Sequence, residues 1–259
     1  MEQPMPGTDR LLTERLFHDR QAANRAHSFH NGQAQLVFSD DSYLDHETWV
    51  RPAFQWLGQL QGQQALDYGC GHGMAAVVMA RAGARVTAFD LSPGYVLETQ
   101  RRAAANHVQI HCVVANGEHL PFPSESFDVV WGHAVLHHLD LTKAGRELHR
   151  VLKPGGRAVF CEPWGGNPLL QFARRTLPYP AKHRTPDEAP LTRSDLAPLE
   201  AVFPNLELQG FQLLGMVRRL GIGPGLCRPL DWIDNRLLSR LPALSHWCRY
   251  VVLRLRRLP

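Results

Sequence analysis

The chain has no CxxC pair. Its five cysteines, at 70, 112, 161, 227 and 248, are scattered and odd in number. That excludes a fully paired disulfide framework and predicts reduced thiols in a cytoplasmic protein. No stretch approaches the roughly 18 uninterrupted apolar residues of a membrane span. The opening "MEQPMPGTDRLLTERLF" carries acids and lacks a long apolar core, so it does not read as a signal peptide. Internal repeats and low-complexity tracts are missing. A metal site is not expected either. His133 and His137 have the spacing of a zinc-protease helix, but Ala134 stands where the glutamate should be, and His27 and His30 have no partners in sequence.

What is present fits an ordinary globular chain. With 44% hydrophobic and 20% charged residues, 259 residues can bury a sizeable core as one α/β domain with insertions. Charge is unevenly placed. Residues 218–259 hold nine arginines and two aspartates, a net of +7, in a chain whose total is +4, so the first 217 residues are net −3. The basic tail could attract an acidic substrate or an anionic membrane surface, or simply face solvent.

From about Gln64 to Glu162 short apolar runs alternate with helical patterns. "QALDY", "ARVTAF", "VQIHCVV", "FDVVWG" and "RAVFCE" read as strands; 73–82, 93–106 and 141–152 read as helices. This alternation predicts a parallel sheet covered on both faces. Four regions follow: a polar, His-rich segment with short helices at 1–50, a core at 51–162, a Pro- and Arg-rich cap at 163–205, and a closing segment at 206–259. In the last, "LELQGFQLLGMV" (206–217) reads as a strand. "SHWCRYVVLRLRRLP" could be an amphipathic membrane helix or a strand. Its period-two alternation favours a strand antiparallel to 206–217, with a helical insertion between them.

The most informative stretch is "ALDYGCGHG", residues 65–73. Glycines at 69, 71 and 73 follow a strand and open a helix, so the backbone can bend sharply and let a ligand lie against it. The helix start points free N–H groups at the same spot, the usual ligand crevice of an open parallel sheet. Two ligands compete. A dinucleotide frame fails from Gly69 but passes from Gly71, with Gly73, Ala76 and an acid at Asp90, which keeps an NAD(P)-dependent oxidoreductase in play. Asp67, however, would repel a pyrophosphate and suits a cationic ligand.

From here the sequence resembles the class I S-adenosylmethionine-dependent methyltransferases, in the flavour of the ubiquinone and menaquinone biosynthesis group. Four blocks over about 64–162 carry the resemblance: "ALDYGCGHG", "VTAFDLSPGYV", "NGEHLPFPSESFDVVWGHAVLHHL" and "RVLKPGGRAVF". It implies an α/β, Rossmann-like, doubly wound and mostly parallel seven-stranded sheet with an antiparallel last strand, plus an N-terminal lid and helical cap insertions. It also implies S-adenosyl-L-methionine as cofactor and S-adenosyl-L-homocysteine as product. Asp67, Gly69, Cys70, Gly71 and Gly73 would hold the methionine end. Asp90 would accept both ribose hydroxyls, and Leu91 would pack on adenine. Asn116 stands where relatives usually place an aspartate for the adenine amino group, with Gly117 and Glu118 beside it. Gly132 and His133 would lie by the sulfonium, and "LKPGG" (152–156) would be an architectural helix exit.

Methyl transfer needs alignment and exclusion of water; a general base is needed only for a poor nucleophile such as a hydroxyl. Among fourteen histidines, His138 and His133 are the base candidates. His18, His27 and His30 fall in the lid, Glu162 at the end of strand five and His183 in the cap. Trp164, Leu169, Leu170, Phe172 and Leu177 suggest an apolar pocket, with Arg174, Arg175, Lys182 and Arg184 available to an anion. The expected acceptor is a small hydrophobic molecule, such as a natural product, quinone or isoprenoid-like lipid, methylated on oxygen. No NPPY-like motif points to nucleic acid, and the basic residues read as lying away from the active edge. The arginine-rich tail leaves a peripheral membrane contact open, and with it a non-catalytic binding module. Oligomeric state is not legible.

Overall fold

The apolar runs that sequence reads as strands form one sheet. A computed structural model describes residues 7–30, 32, 35–176, 189–220 and 224–259. Ahead of the sheet lie α1 (Gly7–His30), α2 (Asp40–Leu44) and α3 (Val50–Gln55). Then β1 (Gln64–Tyr68), α4 (Met74–Arg81), β2 (Arg85–Asp90), α5 (Pro93–Ala105), β3 (Ile110–Val114), β4 (Phe127–His133), α6 (Leu141–Val151) and β5 (Leu152–Pro163) alternate. After α7 (Pro168–Thr176) and α8 (Ala197–Val202) come β6 (Glu207–Phe211), α9 (Pro224–Arg240) and β7 (Tyr250–Arg256). Strand order is β3-β2-β1-β4-β5-β7-β6. The first five of these pair in parallel; β7 runs antiparallel to both β5 and β6. This is the Rossmann-like sheet with a reversed last strand that the resemblance implies.

Alternation along each central strand splits the core into two layers. Val129 and Trp131 of β4 and Val252 of β7 face one layer with Trp49, Phe54, Leu57 and Met79. Val130, Leu253 and Leu255 face the other, with Leu136, Leu148, Phe160, Trp164, Leu199 and Phe203. In α6 the buried residues Leu141, Ala144, Gly145, Leu148 and Val151 recur at helical spacing, and Asp140 caps its start by accepting from the Thr142 and Lys143 amides. Ser92 caps α5 the same way, with Pro93 in the first turn.

Three expectations are corrected. The N-terminal segment is not a set of short helices alone, because α1 runs for 24 residues. It is held on α5 by Arg25–Glu98 pairs and by Asp19, which accepts from Ser92 Oγ and the Gly94 amide. Next, "LKPGG" belongs to β5, which starts at Leu152 opposite Phe127 and then shifts register before Arg157 meets Val129. Finally, the strand expected over 206–217 stops at Phe211. Gln212 takes a left-handed φ of 58°, its side chain donates to Glu47, and its carbonyl accepts from Arg249 N–H. The Asp234 carboxylate then accepts the Leu214 and Gly215 amides, which turns the chain into a 3-10 segment at Gly215–Leu220.

Candidate active site

Strand order reverses between β1 and β4, and a crevice opens there at the carboxyl ends of the strands. A cavity of about 570 Å³ fills it. The 69–73 loop forms the floor. Gly69 has φ 70°, and a Cβ there would stand 2.5 Å from Val135 Cγ2, so only glycine fits. A Cβ on Gly71 would meet nothing within 4 Å; its backbone borders open space. Gly73 caps α4 beneath the loop, away from the cavity lining. From α5, Thr99 Oγ1 donates to the Gly71 carbonyl and Arg102 Nε to the His72 carbonyl. Cys70, buried, has its thiol pushed well up by burial and is inert as a nucleophile.

Two acids face this cavity. Asp90, ending β2, accepts from Ser92 N–H through Oδ1 and from Gly71 N–H through Oδ2, at 2.9 Å each. Burial nonetheless raises its pKa. Asp67, ending β1, accepts the Ala76 amide at 3.0 Å and so braces the start of α4. Burial, with the Asp90 charge adding to it, lifts Asp67 to about 7. Two carboxylates on one cavity, each disfavoured as an anion chiefly by burial, favour a cation, and Asp67 opposes a pyrophosphate on the loop.

Leu91, Asn116 and Gly117 line the far end. The Asn116 amide oxygen accepts from Glu118 N–H at 2.9 Å, an Asx turn that spends one of its lone pairs locally. Glu118 itself is buried and turned out of the cavity. Its carboxylate takes Arg10 of α1 and the Asp140 amide, so it ties α1 to α6 rather than facing the cavity. Gly117 leaves room for Tyr68, whose hydroxyl donates to the Gly117 carbonyl at 2.6 Å.

Both base candidates line the cavity, with different neighbours. His133, at the end of β4, sits beside His46, with ring centroids 5.9 Å apart, in a chamber shared with Tyr43 and Trp131. Burial pushes its pKa down to about 4, with the neighbouring His46 adding to the shift, so its ring is neutral near pH 7. His138 faces α1 instead. Its Nδ1 lies 3.3 Å from Glu14, which also pairs with His18 at 3.3 Å. These three bring a ligand atom each within 4.8 Å of one another, a cluster that no local spacing displays because Glu14 and His138 are 124 residues apart. Burial lowers the His18 pKa, but the Glu14 bond and the Asp90 charge outweigh it and leave it raised. Between the candidates, His137 and Glu162 form a buried pair at 2.7 Å. Glu162 also accepts the Val135 and Leu136 amides, which hold its pKa low despite burial and fix the 134–138 turn. The side chains of His30, Arg174, Arg175, Leu177, Lys182, His183 and Arg184 lie outside the described residues, and His27 is exposed.

Residues 66–160 match the family model of a methyltransferase domain. Residues 66–160 are a class I S-adenosylmethionine-dependent methyltransferase domain. Similar proteins include a demethylmenaquinone methyltransferase of Tropheryma whipplei (strain Twist), 38% identical over 122 residues, 47% of this chain and 50% of that one. A 27-O-demethylrifamycin SV methyltransferase of Amycolatopsis mediterranei (strain S699) is 37% identical over 130 residues, 48% of each chain. The chain thus spans about half the length of these relatives. Among solved structures, the geranyl diphosphate C-methyltransferase of Streptomyces coelicolor A3(2) shares the fold with a TM-score of 0.55 at 21% identity, covering 80% of this chain and 78% of that one.

The methyltransferase domain's own residues fit its cofactor. Asp90 offers a two-oxygen acceptor at the cavity edge for vicinal ribose hydroxyls, and the acid pair suits a sulfonium. The dinucleotide frame read from Gly71 is set aside because Asp67 lines the same cavity. Sequence reasoning missed Tyr43, His46 and Glu14. Tyr43 and His46 lie in no motif; Glu14 carried one signal, its i,i+4 spacing to His18 on a helix.

Proposed function

We propose that the chain transfers the methyl group of S-adenosylmethionine to an oxygen of a small, mainly apolar acceptor, with His133 as general base. The observation that carries this reading is a half-buried histidine on the same cavity as Asp90, its pKa held down by desolvation. The cofactor supplies an activated methyl carbon on sulfur. The protein's part is alignment and desolvation. Asp90 and the 69–73 backbone hold the nucleoside, Asp67 offsets positive charge, and Tyr43, Trp131, Met74 and Leu139 surround the acceptor with apolar surface. As the acceptor oxygen gains the methyl carbon, its proton passes to a ring nitrogen of His133, which burial keeps unprotonated near pH 7 at the cost of lower basicity. His138, bound to Glu14, serves the lid instead.

Relatives named for demethylmenaquinone and 27-O-demethylrifamycin SV support a quinol- or natural-product-like acceptor, and five cysteines outside any disulfide suit a reducing cytoplasm. The test is turnover of a panel of phenols and hydroquinones, with the methyl position read by mass spectrometry. O-Methylation lost by about 100-fold or more in His133→Ala supports the reading. Full activity in that variant, or methylation on carbon alone, overturns it.

A further inference from the structure

The function above leaves the arginine-rich insertion unused. In α9, Arg228, Trp232, Arg236 and Arg240 follow one another at intervals of four, and all four are exposed. They therefore form one outward stripe. The Arg236 guanidinium lies 4.7 Å over the Trp232 ring, and Trp232 is 60% exposed. Ile233 flanks the stripe and is also exposed. The helix's two acids do not neutralise this face. Asp234 is buried on the Leu214 and Gly215 amides, and Asp231 pairs with Arg218.

Further exposed apolar residues lie in the segments that follow α9 and adjoin it. Leu241 follows α9 directly, and a 3-10 segment at Pro242–Trp247 ends on Trp247; both side chains are exposed. The Trp247 carbonyl accepts from Asn167 Nδ2, which sets the start of α7 against this segment. There Leu169 is 72% and Phe172 67% exposed. These parts share the active edge of the sheet. Phe211 and Pro163 both pair with Tyr250, so the chain leaves β6 and returns into β7 at the carboxyl end of β5. The sequence expectation that the basic residues lie away from that edge holds only for Arg254, Arg256 and Arg257, which run along and past β7.

We infer that this chain docks on an anionic lipid bilayer through α9, the turn after it and the start of α7. Exposed tryptophans and leucines near arginines that no acid among the described residues neutralises match the headgroup boundary, where indole rings sit at the interface and each cation near the surface adds attraction. Charge complementarity selects an anionic bilayer over a second copy of this chain, which would bring like charge to the same face. Docking stands apart from the proposed chemistry. Only its consequence, that an apolar acceptor would enter from the membrane side, rests on that reading.

The experiment is flotation of the full chain with phosphatidylcholine vesicles, with and without phosphatidylglycerol. Binding only to the anionic vesicles, weakened by salt, is expected. The triple variant Arg228→Gln, Arg236→Gln, Arg240→Gln should lower partitioning about a hundredfold, and Trp232→Ala should lower it independently. S-Adenosylhomocysteine binding by each variant, measured by calorimetry, should stay at the parent value and shows that the fold is kept. Equal binding to neutral vesicles, no binding at all, or flotation unchanged in the triple variant overturns the inference. So does a dimer that the triple variant abolishes while vesicles go unbound. Loss of turnover on every acceptor with flotation intact would instead count against the proposed function alone.

Discussion

Asp67 and Asp90 do different work at the bottom of one crevice, and single substitutions separate them. Asp90 already accepts two backbone amides and faces the cavity with the rest of its acceptor capacity. Hydrogen bonds to a charged group contribute about 1.5–3 kcal/mol each. Losing two to a ribose in Asp90→Ala should weaken S-adenosylmethionine by about 100-fold or more in calorimetry; unchanged affinity would dismiss the assignment. Asp67 is the pH-sensitive member. Its pKa is about 7 when folded against an ordinary 3.8, so the free protein favours its protonated form. The stability this contributes is complete below about pH 4 and is lost as pH rises through 7. Asp67→Asn should therefore raise the melting temperature of the free protein at pH 8 and change it little at pH 4. Cofactor binding should respond in the opposite sense. A cation draws Asp67 toward its charged form, so affinity should fall as pH drops below 7, with proton release on binding seen in calorimetry as a heat that depends on the buffer. Asp67→Asn should bind more weakly and lose this dependence.

At the scale of elements, the turn at 134–138 and the helix α1 form the walls of the cavity, and both are held by buried acids. Glu162 carries the turn through two amides and His137. Glu162→Gln keeps the shape but weakens charge-assisted bonds, at a cost of about 2–4 kcal/mol in urea unfolding. Because the Glu162 pKa is held low, this stability is present above its ordinary value of 4.5 and is lost as pH falls through the folded one. The α1 clasp behaves in reverse. His18 is raised above 6.5, so its pairing with Glu14 is complete below 6.5 and fades as pH rises through the folded value. Amide exchange in α1 should accelerate over that range, and Glu14→Gln should exchange fast throughout; a flat profile would show that the clasp does not hold α1. These walls also mark what sequence could and could not tell. The strand and helix patterns of 64–162 were legible because local periodicity and caps such as Ser92 and Asp140 decide them. The length of α1 was not, since its anchors, Glu98, Glu118 and Ser92, lie on other elements. Nor was the end of β6, which is set by Asp234 twenty residues on from Leu214.

Taken whole, the molecule draws the groups that face the crevice from many elements: Asp67 on β1, Asp90 on β2, Asn116 after β3, His133 on β4, and Glu14 with His18 on α1. The motif-bearing end, from Asp67 through Asn116, was readable because each residue sits at a strand end whose position the pattern fixes. The chamber of Tyr43, His46 and Trp131 was not, because it forms only when α2 folds back across β4, where Trp131 Nε1 donates to the Tyr43 hydroxyl. A site assembled from so many elements is ordered only when the whole sheet is. A ligand that binds the folded chain alone must therefore stabilise all of it, by about 2.7 kcal/mol at a hundredfold excess over its dissociation constant. For a chain of this size that is a rise of roughly 5–10 °C in melting temperature. S-Adenosylhomocysteine should produce it and NADH should not, since a pyrophosphate on the glycine loop meets Asp67. The sulfonium-bearing S-adenosylmethionine should exceed S-adenosylhomocysteine at pH 6 to 8, where the two acids reward positive charge. A thermal shift with NADH and none with either sulfur compound would reassign the crevice.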